Sequence, residues 1–121
     1  MRKILLVEDE VLLREAYEMI LSSEPYVIHS APNGAKAWEL CQKNDYDLIL
    51  LDLMMPILDG VAFLERYAQH ENEIPKVIVL SNLSSGDEIT RALDLGAIKS
   101  AVKANLSPKQ LISLVRYELK P

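Results

Sequence analysis

The chain is short of several things, and each shortage excludes something. It has one cysteine, Cys41, in 121 residues, so no internal disulfide can form and a reducing cytoplasm is the simplest home. No apolar stretch approaches the length of a bilayer span. The opening Met1-Arg2-Lys3 is basic, but the apolar run behind it, Ile4 to Val7, stops at Glu8, so no secretory signal is read. There is no repeat, no low-complexity tract and no linker rich in Gly, Ser or Pro, so residues 1–121 are expected to form one domain. Basic charge is scarce as well. A net charge of −5 argues against nucleic acid as a direct partner, because phosphate backbones attract Lys and Arg. The expectation is a cytoplasmic protein with no membrane segment and no direct nucleic-acid contact.

What the chain does have is alternation. Short apolar runs at Ile4–Val7, Val27–Ile28, Leu48–Leu51 and Val77–Leu80, with a weaker one at Ser100–Val102, suit strands covered on both faces. Between them lie stripes at helical spacing: Leu13, Ala16, Tyr17, Ile20 and Leu21; Ala37, Leu40 and Cys41; Phe63, Leu64, Tyr67 and Ala68; Ile89, Ala92 and Leu93; Leu111, Leu114 and Val115. Ser85–Glu88 and Ser107–Gln110 read as capping boxes, the second with Pro108 at the first helical position. Asn33 and Asp59 read as caps of two more helices, and Gly96 as a helix stop. Five strand–helix repeats predict an α/β fold with a doubly wound, open parallel sheet. A closed eight-fold barrel needs about 250 residues.

In such a sheet, ligands bind beyond the carboxyl ends of the strands, where strand order reverses. Glu8 and Asp9 follow the first run, Asp52 ends the third, Ser81 ends the fourth and Lys103 follows the fifth. Singly, each has an ordinary explanation: acids at a helix start, an Asx turn before Pro56, a loop hydroxyl, a solvated lysine. Together they are more specific. Three carboxylates on one rim repel one another, and a hard divalent cation such as Mg²⁺ relieves that repulsion with oxygen ligands. A lysine and a hydroxyl on the same rim suit the oxygens of a phosphoryl group carried by one of the acids. Asp52, ending the strand placed at the centre, is the best candidate for a nucleophile that forms an acyl phosphate.

Val7-Glu8-Asp9-Glu10, Leu50-Leu51-Asp52-Leu53-Met54-Met55-Pro56 with Asp59-Gly60, Val79-Leu80-Ser81, and Gly96-Ala97 followed by Lys103 resemble, in order, the signatures of response regulator receiver domains of two-component systems. The resemblance covers nearly the whole chain. It implies a flavodoxin-like, five-stranded sheet of order 2-1-3-4-5 with five helices. It implies that Asp52 accepts a phosphoryl group from a histidine kinase or phosphotransfer protein. Mg²⁺ (or Mn²⁺) would bind Asp9, Asp52 and the Met54 carbonyl, with Glu8 acting through water. Ser81 and Lys103 would bind phosphoryl oxygens. Ser81 would also move the face built from the fourth helix, fifth strand and fifth helix, where a downstream protein or a second copy would dock.

Some positions depart from the family pattern. Ser100 stands where an aromatic switch residue is usual, so the hydroxyl–aromatic coupling cannot run in its usual form. Ala104 stands where proline is common, so no cis peptide is expected after Lys103. Asn82 stands where a small residue is common; with Met54 and Leu83 it should limit water at an acyl phosphate, which predicts slow autodephosphorylation. These departures keep a second reading open, a pseudo-receiver that binds partners without phosphorylation. An aspartyl-phosphate enzyme of the haloacid dehalogenase type is disfavoured, because Met54 occupies the place of its second acid. The chain is therefore read as a phosphoacceptor rather than an enzyme. His29 and His70 have no ligand spacing and are read as ordinary strand-end or surface residues, Cys41 as core and Trp38 as packing. The added width of the last helix, Ile112 and Leu119, fits either a partner surface or broad packing.

Overall fold

The computed structural model describes residues 1–70, 73–82 and 86–120. The elements follow the predicted alternation: β1 Arg2–Val7, α1 Val11–Leu21, β2 Tyr26–Ala31, α2 Gly34–Lys43, β3 Leu48–Asp52, α3 Gly60–His70, β4 Lys76–Ser81, α4 Gly86–Asp94, β5 Lys99–Val102 and α5 Pro108–Leu119. The five strands are parallel, in the order β2-β1-β3-β4-β5. β3 is buried at all five positions, which is why it reads as an unbroken apolar run. β2, an edge strand, is half-buried along most of its length, so its apolar run covers only Val27–Ile28 although the strand extends from Tyr26 to Ala31.

Alternate side chains of one strand face opposite layers. Leu5, Val7, Ile49, Leu51, Val77 and Val79 pack under α2, α3 and α4, against Ala37, Phe63, Leu64 and Ala92. Ile4, Leu6, Leu48, Leu50, Ile78 and Leu80 pack under α1 and α5, against Tyr17, Leu21, Leu111, Val115 and Leu119. Each large aliphatic group so buried contributes roughly 1.5–3 kcal/mol against exposure. Leu119 is a core residue, and Ile112 is half-buried, so most of the extra width of α5 is spent on this chain's own sheet. Ala16, Ala68 and Leu93, placed on apolar stripes by spacing, lie at the solvent edge.

The caps explain where the helices start. Asn33 accepts a hydrogen bond from the Lys36 N–H, and Asp59 accepts one from the Ala62 N–H. Ser107 and Gln110 form a reciprocal capping box, with Pro108 opening α5. The proposed box at Ser85–Glu88 involves Ser85, which lies outside the described residues, as does Leu83. Gly96 ends the α4 region with φ +116°, backbone that a side chain rarely adopts. Gly60 serves close approach instead: a Cβ there would sit 2.7 Å from the Asp52 carbonyl oxygen. His29 is half-buried on β2, with Nδ1 2.8 Å from the Tyr46 hydroxyl. Burial raises the pKa of that phenol to about 12. Trp38 packs edge-on to Tyr67 and beside His70, and Cys41 lies half-buried against the same core.

Candidate functional site

Strand register brings the expected residues together. Val7 pairs with Leu51, so Glu8 and Asp52 lie side by side at the ends of β1 and β3. Asp52 pairs with Leu80, which puts Ser81 one step beyond, and Ser81 pairs with Val102, just before Lys103. This is the point where strand order reverses, since β1 leads outward to β2 on one side and to β3 on the other.

The carboxylates of Glu8, Asp9 and Asp52 offer oxygens that all lie within 4.8 Å of one another. Glu8 and Asp52 are buried, at 0% and 1% exposure, while Asp9 is partly open. Lys103 reaches over the pair: its Nζ is 2.9 Å from Glu8 Oε2 and 3.0 Å from Asp52 Oδ2. The other Asp52 oxygen, Oδ1, accepts from the Met54 N–H at 3.1 Å. Neither oxygen facing the ammonium receives a well-directed hydrogen bond, and the buried Ser81 Oγ has no partner among the described residues. The ammonium compensates both carboxylate oxygens, but a buried hydroxyl is normally hydrogen-bonded, so the orphaned Ser81 Oγ marks a place suited to a further acceptor.

Electrostatics point the same way. Desolvation raises the pKa of Asp52 from 3.8 to about 7; Lys103 opposes the rise and the Glu8 charge adds to it. Desolvation lowers the Lys103 pKa, but its contacts with Glu8 and Asp52 outweigh that, and the net direction is upward. With all three carboxylates ionised, one ammonium leaves an excess of two negative charges, the amount one divalent cation neutralises. The donor set, all hard oxygen, fits Mg²⁺.

The family model for the response regulator receiver domain matches residues 4–116. The chain belongs to this family. The transcriptional regulatory protein SrrA of Staphylococcus aureus strain NCTC 8325 is 35% identical over 120 residues, covering 98% of this chain and 48% of that protein. The receiver thus spans about half the length of the curated relatives it matches. The receiver domain of the Francisella response regulator 1452 superposes with a TM-score of 0.86 at 28% identity, covering 98% of this chain and 96% of that one. A CheY-like receiver domain protein from Methanospirillum hungatei shares the fold, with a TM-score of 0.88 at 22% identity over 98% of this chain and 94% of its own.

Other residues of the receiver refine the site. Met54 is 53% exposed, and Asn82, which follows Ser81 in the chain, is exposed as well. Ser100 is exposed on β5, and no aromatic stands in its place. Lys103, Ala104 and Asn105 form a 3-10 turn, and no described residue has a cis peptide. Two features escaped the sequence reading. The Arg14 guanidinium donates to the Glu8 carbonyl at 2.8 Å. Ile57 sits at φ +71° in a three-residue turn closed by the Leu58 N–H to the Pro56 carbonyl at 2.8 Å, strained for a β-branched residue. No residue type announces either one. Among the described residues, no helix is long and apolar enough to cross a membrane.

Proposed function

We propose that this receiver accepts a phosphoryl group on Asp52 and thereby controls a protein-docking face. The observation that carries the reading is the buried Asp52 carboxylate, bridged to Glu8 by Lys103 and flanked by the unpartnered Ser81 hydroxyl. The donor is a phosphohistidine on a kinase or phosphotransfer protein: its N–P bond breaks as an oxygen of Asp52 bonds to phosphorus, and the imidazole leaves and is reprotonated from water. Asp9, Asp52 and the Met54 carbonyl would hold Mg²⁺ (or Mn²⁺), with Glu8 one water removed. The bound cation supplies charge neutralisation between carboxylate and incoming phosphoryl oxygens. Lys103 and Ser81 then donate to the transferred oxygens, which requires Lys103 to leave Glu8.

The receiver acts as a phosphoacceptor in the cytoplasm, not as a turnover enzyme, and residues 1–121 act as one unit. Its partner downstream is a protein, or a second copy, docking on α4, β5 and α5. A groove of about 600 Å³ between the β5 end and α5, lined by Lys99, Leu106, Lys109, Leu114 and Tyr117 among others, supports the β5–α5 part of that surface. The span itself, at net charge −5, makes no direct nucleic-acid contact. Intact mass after incubation with acetyl phosphate and Mg²⁺ tests the reading. One phosphoryl adduct on the parent and none on Asp52→Ala is the expected result. No adduct on the parent would favour a pseudo-receiver.

A further inference from the structure

The loop that carries Glu8 and Asp9 is weakly fastened by ordinary means. Glu10, the N-cap of α1, makes no side-chain capping bond. The Glu10 N–H reaches back to Glu8 Oε1 at 3.3 Å, which is long. The Glu8 N–H is tied to the Ala31 carbonyl at 3.1 Å. What holds the far side of the loop is Arg14, whose Nη1 donates to the Glu8 carbonyl oxygen at 2.8 Å. That carbonyl belongs to the peptide plane joining Glu8 to Asp9, so fixing it fixes the direction in which Asp9 leaves the strand. Arg14 is itself held. Its Nε lies 3.9 Å from Glu18 Oε1 one helical turn on, and the Ser30 hydroxyl donates to the same Glu18 oxygen at 2.6 Å. Ser30 is on β2, next to the strand that ends at the site.

We infer that Arg14, anchored through Glu18 and Ser30, is a positioning residue that presets the Glu8–Asp9 peptide for a divalent cation. The inference rests on the proposed metal site and adds the chain of contacts that tunes it. Without the tether, binding must first order the loop, and that cost appears as weaker affinity. Groups one shell removed from a metal commonly change affinity by about 10–100-fold. The arginine fork lets one side chain serve both the carbonyl and Glu18, which a single ammonium does less well.

The test is titration of the protein with Mg²⁺ alone, by calorimetry, with a thermal melt of each variant as a folding control. Arg14→Ala should raise the Kd about tenfold, with Arg14→Lys between it and the parent. Glu18→Gln and Ser30→Ala, which leave the loop and core untouched, should weaken binding in the same direction by a smaller factor. Saturating Mg²⁺ should return the acetyl phosphate reaction of Arg14→Ala to near the parent rate. A folded Arg14→Ala with a Kd within about twofold of the parent overturns the inference. So does a rate that stays low at saturating Mg²⁺, which would place Arg14 on the phosphodonor instead. A parent that takes up no Mg²⁺ overturns both this inference and the functional reading, whereas equal binding by parent and variants overturns the tether alone.

Discussion

Asp52 should cost the metal-free protein stability at neutral pH, and removing its charge should reverse that cost. The fold raises its pKa from 3.8 to about 7. The folded state therefore prefers the protonated carboxyl. The penalty is absent below the unfolded value, grows as pH climbs between the two values, and is constant above about 7. A shift of roughly three units corresponds to about 4 kcal/mol at most. The attraction of Lys103 is already contained in that shift, and water entering the cleft on relaxation reduces the figure to about 2 kcal/mol. Asp52→Asn keeps the acceptor for the Met54 N–H and leaves Lys103 paired with Glu8. In a chelator at pH 8 it should melt about 5–10 °C above the parent. The gap should close near pH 4 and shrink when Mg²⁺ is added, since the cation stabilises the parent more than a variant with one carboxylate fewer. Circular dichroism melts across pH would show this. A variant no more stable than the parent at pH 8, or a gap independent of pH, would refute the electrostatic reasoning.

Three further outcomes are expected. Ile57→Gly should raise the melting temperature by about 2–4 °C, because about 1 kcal/mol of left-handed strain is released and the 81% exposed side chain gives up little burial; a lower melting temperature would show that Ile57 is packed to advantage. Ser107→Ala should cost about 1 kcal/mol by opening the capping box of α5, read as a lower urea midpoint at unchanged slope. Asn82→Ala should shorten the lifetime of the phosphoryl adduct several-fold in a mass time course, and an unchanged lifetime would remove Asn82 as the shield against water.

The sheet was legible because burial on both faces leaves unbroken apolar runs, as in Leu48–Leu51. The edge strand β2 was half legible, because it is only half-buried on either face and admits the polar His29 and Ser30. Asn33, Asp59 and Ser107 announced their helices because capping depends on the side chain itself. The rim residues were legible once strand ends were known, since parallel register carries Glu8, Asp52, Ser81 and Lys103 to one edge. Their detailed pairing was not. Glu8 was expected one water from the cation, whereas it also shares the Lys103 ammonium, a contact set by the 3-10 turn that follows β5. Arg14 was invisible because its partner is a backbone carbonyl, which every residue has. Ile57 was invisible because its backbone runs against the preference of its own side chain.

The central claim is the identity of the phosphoacceptor. An aspartyl phosphate is reduced by borohydride to homoserine, whereas phosphoserine and phosphohistidine are not. Peptide mass mapping after acetyl phosphate, Mg²⁺ and borohydride should find homoserine in place of Asp52 and nowhere else. Reduction at another acid, or phosphate retained on a histidine or serine while Asp52 is untouched, would contradict the account.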